Sequence, residues 1–181
     1  MKYSTFLIAA LLIAQTAFGE RYMTRTGKVT FFSSTSMENI EAVNNEMACA
    51  VDSKTGDLAF QVPIKSFKFE KALMQEHFNE NYMESDKFPK AQFKGAIANL
   101  GAVNFAKDGQ YSVTASGKMT IHGVTRDVSA PGTITVKGNE IVAASKFTVR
   151  SADYGIRIPS VVAGKIAQNI EVTVNCIMAQ K

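Results

Sequence analysis

A chain of 181 residues with 46% hydrophobic and 20% charged residues has the composition of a folded globular protein, one domain by default, and lies outside the disordered class. Its net charge of +4 comes from scattered lysines and arginines with no basic run, which gives a nucleic-acid partner no support. The two cysteines, Cys49 and Cys176, are neither a CxxC pair nor close to a histidine, which argues against zinc-finger and thioredoxin-type chemistry.

The first nineteen residues, MKYSTFLIAALLIAQTAFG, join Lys2 to an apolar run from Phe6 to Ala14 and end with the small residues Ala17 and Gly19 at the positions a signal peptidase reads. This pattern predicts a secretory signal peptide cut after Gly19, a periplasmic product, and a single domain over 20–181. The run is short for a membrane span, and no later segment approaches ~20 apolar residues, so stable membrane insertion is not expected. Export implies an oxidising compartment.

The rest of the chain is punctuated at short intervals. MTRTGKVTFFSST (23–35) alternates into a strand around Val29 and Phe31. ENIEAVNNE (38–46) reads as a polar, turn-like stretch with room for one helical turn. MACAV leads to DSKTGD (52–57), a hairpin signal in which Gly56 supplies the permissive backbone. LAFQVPIKSFKF (58–69) sets Leu58, Phe60, Val62 and Ile64 on one face, then shifts register after Lys65, as a bulge near Pro63 would make it do. KALMQEHFNENYMES (71–85) is the exception: Met74, Phe78 and Tyr82 recur at helical spacing, with Glu76, Glu80 and Glu84 on a wet stripe, and Pro89 ends anything helical. Strands resume at 90–100, 109–121, 123–136, 140–150 and 168–178. That makes about eight strands, each with one apolar face, and a sandwich and a barrel both remain open. Small residues on the inward faces (Gly95, Ala115, Gly117, Ala143, Ser145) leave room inside.

The chemistry-bearing residues are few. His77 with Glu80 and Glu84 has metal-ligand spacing on a helix, but a second ligand pair is missing, and a solvated acidic face explains the stretch. His122, in TIHGVT, fits the first position of a two-residue hairpin turn with Gly123. There is no GxSxG, no serine or cysteine placed beside a histidine, and no phosphate-binding glycine loop. We expect neither an enzyme nor a cofactor.

Two longer runs carry a resemblance. EHFNENYMESDKFPKAQFKG (76–95) places Asp86, Phe88, Pro89, Phe93 and Gly95 in a D-x-[FY]-P-x-x-x-F-x-[GS] pattern. MTIHGVTRDV (119–128) follows an L-T-[IL]-H-G-V-T-[KR]-x-V pattern, with Met119 where leucine is commoner, and FTVRSADYGIRIP (147–159) resembles a later strand-turn run. Together these resemble the YceI-like family, the polyisoprenoid-binding domain of bacteria, over nearly all of the chain after the signal segment. The resemblance implies an all-β fold: an eight-stranded antiparallel lipocalin-like barrel with one inserted helix (about residues 71–85) closing its mouth. It implies a periplasmic lipid-binding protein that holds a long isoprenoid or similar apolar chain as a carrier or sequestering module. The alternative is a ligand-free stress or structural protein whose barrel is filled by its own side chains.

On that frame, alternation and the resemblance together place Phe60, Val62, Phe93, Met119, Ile121 and Phe147 around the ligand. Phe78 and Tyr82 are expected buried against the mouth, Glu76 and Glu80 face water, and His77 and His122 act at most as orienting groups. Long chains should bind and short ones should not. Cys49 falls in the second strand and Cys176 in the last, both flanking the first. Two strand spacings of about 4.8 Å put them about 9.6 Å apart, beyond the ~7 Å between Cα atoms that a disulfide tolerates, so we expect them unbridged.

Overall fold

Alternating apolar and polar residues make eight long strands here, and the computed structural model of the protein describes residues 21–181. The strands are β1 (Arg21–Ser34), β2 (Asn39–Asp52), β3 (Asp57–Pro63), β5 (Lys90–Ile97), β6 (Gly109–Ile121), β7 (Val124–Lys137), β8 (Glu140–Arg150) and β9 (Asn169–Gln180), with a two-residue β4 (Lys68–Phe69). Neighbours run antiparallel in the order β1-β9-β8-β7-β6-β5-β3-β2, and β2 pairs back onto β1. The sheet is therefore a closed eight-stranded barrel. β4 pairs with β2 at Ala42 and Val43, beyond the stretch that β3 covers. The expected signal peptide, with its cut after Gly19, lies outside the described residues. Among the described residues no helix is long and apolar enough to cross a membrane.

The two ends of the barrel differ. At one end lie the turns 53–56 and 138–139 and the 98–108 connection, and here Met47, Val51, Val136, Ile141 and Met178 are fully buried against one another. At the other end lie the β1–β2 turn, the whole segment 64–89, the β6–β7 turn and the long β8–β9 connection. That segment holds a short helix, α1 (Ala72–His77), which widens into a π-helical turn over Phe78–Tyr82. The sequence expectation of one inserted helix over about 71–85 thus becomes eleven helical residues in two geometries. The register shift after Lys65 is real but takes the form of a 3₁₀ turn over Ile64–Ser66. His122 and Gly123 have φ of 50° and 75°, the pair of positive values that a tight hairpin turn between twisted strands requires.

Two sequence expectations fail here. The stretch 38–46 is no turn beyond Glu38: from Asn39 it is the first half of β2, paired with β1 from Ser34↔Asn39 to Val29↔Asn44. The misreading comes from Asn44, which is fully buried. Its side chain is satisfied inside the wall, donating to the Pro63 carbonyl at 2.7 Å and accepting from the Glu46 amide at 2.8 Å. A hydrogen-bonded amide can occupy a core position that pattern reading reserves for an apolar residue.

The second failure is Cys49 and Cys176, which form a disulfide with Cα atoms 6.8 Å apart. They do flank β1, as expected, but the residue between them is Gly27, at a register irregularity where β1 shifts against both neighbours. A Cβ on Gly27 would lie 2.8 Å from each sulfur. With no side chain there, the two cysteines meet over the bare backbone of the intervening strand. The uniform 4.8 Å spacing does not apply at a bulge that bends and twists the strand.

The wall has one incomplete seam. β7 and β8 pair only from Gly132↔Ser145 to Lys137↔Glu140. Toward the open end, Val124–Pro131 of β7 and Lys146–Arg150 of β8 have no ladder between them. Pro131, which has no N–H to donate, marks the point where pairing stops, and Ser145 Oγ closes the seam by donating to the Pro131 carbonyl at 2.6 Å.

Candidate functional site

The open half of the barrel encloses a cavity of about 750 Å³ whose wall is almost wholly apolar. Phe60, Val62, Phe93, Met119, Ile121 and Phe147 all line it, on strands β3, β5, β6 and β8. Phe60 and Phe93 sit opposite each other on paired strands, their ring centroids 6.0 Å apart. Val113, Ile134, Ala143, Val172 and Val174 continue the wall, and Met47, Leu58 and Ile97 lead down to the packed end. Ala115, Ala143 and Ser145 line the cavity and leave room in it. Gly95 and Gly117 do not line it; they face each other across β5 and β6. A Cβ on Gly95 would come within 2.2 Å of the Ser116 carbonyl oxygen, and one on Gly117 within 2.3 Å of the Lys94 carbonyl oxygen. Their small size serves close strand approach, with the Phe93 ring laid over Gly95.

The lid closes the mouth through one ring. Phe78 packs against Phe31, Phe67 and Phe69 at centroid distances of 5.4, 5.5 and 5.0 Å. Aromatic pairs at such distances add to simple burial, so this cluster is the hinge of the lid's packing. Met74, His77, Phe78 and Tyr82 all reach the cavity, while Glu76 and Glu80 are exposed. Phe78 and Tyr82 are half-buried, and neither helical turn contains a fully buried residue. Beyond the helical turns, the end of the lid is also anchored by Met83 and Ser85, which are buried.

His122 does not line the cavity. Its Nε2 lies 2.8 Å from Glu84 Oε2 and its Nδ1 lies 3.2 Å from the Tyr154 carbonyl oxygen, while its ring meets Phe88 edge-on at 4.6 Å. Both polar partners are oxygens, and the ring bridges them through its two nitrogens. This clasp joins the end of the lid (Glu84, at φ 43°) to the β6–β7 turn and to the β8–β9 connection. Burial pushes the Tyr154 phenol above its ordinary value of 10.0.

The sequence reading missed the β8–β9 connection. Ile158, Val162 and Ile166 line the cavity beside the open seam, as do Val128, Ala130, Thr148 and Val149 from its two lips. Their only signal was four-residue spacing in a segment interrupted by Pro159 and Gly164. Two wall hydroxyls are spent locally: Ser33 Oγ accepts from the Ala167 amide at 2.9 Å, and Ser145 Oγ serves Pro131. The charged side chains that reach the lining, Glu38, Lys71 and Lys165, all stand at the mouth. Among the described residues no three potential metal ligands cluster. The site offers apolar burial and shape.

Comparison with known proteins agrees with this geometry. The sequence model of the YceI-like domain matches residues 15–178. No curated protein sequence matches the chain. Among solved structures, a polyisoprenoid binding domain from Saccharophagus degradans, implicated in plant cell wall breakdown, superposes with a TM-score of 0.78 at 12% identity, covering 90% of this chain and 99% of that one. BcnA of Burkholderia cenocepacia gives 0.70 at 16% identity, covering 84% and 96%. A YceI protein of Campylobacter jejuni gives 0.55 at 14% identity, covering 100% and 99%. At these identities the likeness is one of fold.

Proposed function

This chain belongs to the YceI-like domain family, and from that premise we propose that it binds a long apolar chain of isoprenoid type inside its barrel. The observation that carries the reading is the 750 Å³ apolar cavity, whose charged lining residues stand only at the mouth. Its volume lies within the range of small-molecule sites. At about 30 Å³ per heavy atom, a water's share of the liquid, it admits about 25 chain atoms, or about five isoprene units. At about 0.8 kcal/mol per buried CH₂ group, five units offer about 20 kcal/mol gross, against about 4 to 15 kcal/mol for association. One or two units, about 4 to 8 kcal/mol gross, leave little or nothing over that cost. The role is that of a carrier or sequestering module, a reading supported by a wall that offers apolar burial and shape.

The same reading places the protein in the periplasm. Two features support it: the cleavable leader pattern over residues 1–19, and the Cys49–Cys176 disulfide, a bond that persists in oxidising compartments. A barrel filled by its own side chains describes the packed end alone. The test is lipid extraction and mass spectrometry on protein purified from its native source. Stoichiometric long-chain isoprenoid is expected. Protein that carries no lipid and takes none up from detergent would rule the reading out.

A further inference from the structure

We infer that the rim of the open end is a docking surface for a lipid bilayer, from which the barrel takes up its chain. The inference rests on the apolar-chain reading above. Among the described residues, five large hydrophobic side chains are exposed, and three of them stand on this rim: Met37 at 67%, Leu73 at 61% and Val161 at 88%. The other two, Met23 and Ile177, lie on β1 and β9.

The three rim residues come from separate segments that touch. Glu38, next to Met37 in the β1–β2 turn, pairs with Lys71 at the start of the lid at 3.6 Å. Met37 Sδ lies so close to Gly164 that a Cβ there would approach it to 2.7 Å. Leu73 is the second residue of α1, and Val161 is the middle residue of the short turn Ser160–Val162 in the β8–β9 connection. Beside each exposed residue, a chain neighbour faces inward: Glu38, Met74 and Val162 all line the cavity. Three exposed apolar side chains on adjoining segments therefore stand around the entrance to one apolar cavity. Apolar side chains left exposed together at one rim mark a surface that meets another apolar phase.

The charges favour a bilayer as that phase. Lys165 stands at the mouth four residues after Val161 and makes no ion pair among the described residues. An ammonium beside apolar side chains is the arrangement that seats a protein in the headgroup layer, with the cation against anionic phosphates. A chain of several isoprene units also has negligible solubility in water and must be exchanged where it is dissolved.

The test is flotation of delipidated protein with phosphatidylcholine vesicles, with and without phosphatidylglycerol. A second readout is uptake of a fluorescent polyprenyl probe from dilute detergent. The wild type should float, and more strongly with phosphatidylglycerol. Met37→Ser/Val161→Ser should lower vesicle binding about tenfold while taking up the detergent-borne probe as before. Lys165→Glu should remove the gain from phosphatidylglycerol. Docking is overturned if the wild type takes up the probe but does not float, as it would if the rim meets a protein, or if Met37→Ser/Val161→Ser floats as well as the wild type. If no probe is taken up from detergent, the apolar-chain reading fails instead, whatever the flotation shows.

Discussion

Replacing both cysteines, Cys49→Ala with Cys176→Ala, should cost most of the stability a cross-link can supply. The bond joins residues 127 apart in sequence. In the chain-entropy treatment, a loop of that length contributes about 5 kcal/mol at 25 °C, and removal of native disulfides typically costs about 2 to 5 kcal/mol. Both sulfurs are buried, and alanine leaves no polar atom behind. We therefore expect a loss of about 3 to 5 kcal/mol in urea denaturation. With a slope of about 1 to 3 kcal/mol per molar, the midpoint falls by roughly 2 M. Gly27 supplies an internal check. Gly27→Ala puts a methyl 2.8 Å from both sulfurs in the wild type, but in the double-alanine background the nearest remaining obstacle is the Met47 carbonyl oxygen at 3.0 Å. The substitution should thus be milder without the cysteines, with a coupling of about 1 to 3 kcal/mol. Two titratable thiols in unfolded, unreduced protein would refute the bond and the strand geometry drawn from it.

Phe78→Ala removes a half-buried ring from a four-phenylalanine cluster and should cost about 2 to 3 kcal/mol, below the ~3 to 5 kcal/mol of a fully buried site. Glu80→Ala, on the wet stripe, should change stability by less than about 0.5 kcal/mol; equal mild effects in thermal melts would mean the lid is not packed through Phe78. Phe93→Arg places an unpaired charge in the cavity wall and should expel the chain or unfold the barrel, so a folded variant that still carried long-chain lipid would move the ligand elsewhere. Tyr154 gives an alkaline signature. Its phenol is raised above 10.0 by burial, so its share of stability is intact below pH 10 and is lost as pH rises through the higher folded value. Tyr154→Phe should flatten that alkaline decline, and an unchanged slope would remove Tyr154 as its source.

Strands were legible where alternation ran unbroken. GQYSVTASGKMTI and EIVAASKFTVR coincide with β6 and β8, because each buries one face and wets the other. Legibility failed where a single residue broke the rule for a local reason. Asn44 looked like a turn residue because its partners, the Pro63 carbonyl and the Glu46 amide, are not visible in its own neighbourhood. Gly27 did carry a signal, since a glycine inside a strand marks a bulge or a close backbone approach, but its consequence for Cys49 and Cys176 needs three strands in register. The lid's helical stripe was readable from Met74, Phe78 and Tyr82. The cluster around Phe78, Phe31 with Phe67 and Phe69, was not, because Phe31 is distant in sequence and meets the other three only once the barrel closes.

The most direct test of the central claim is a chain-length series: isothermal binding of isoprenoid alcohols from two to eight units, in rough terms, to delipidated protein. The account predicts no measurable binding for the shortest chains, rising affinity with each added unit, and a plateau near about five units, where the 750 Å³ cavity is full. Affinity independent of length, or no binding at any length by folded protein, would contradict it.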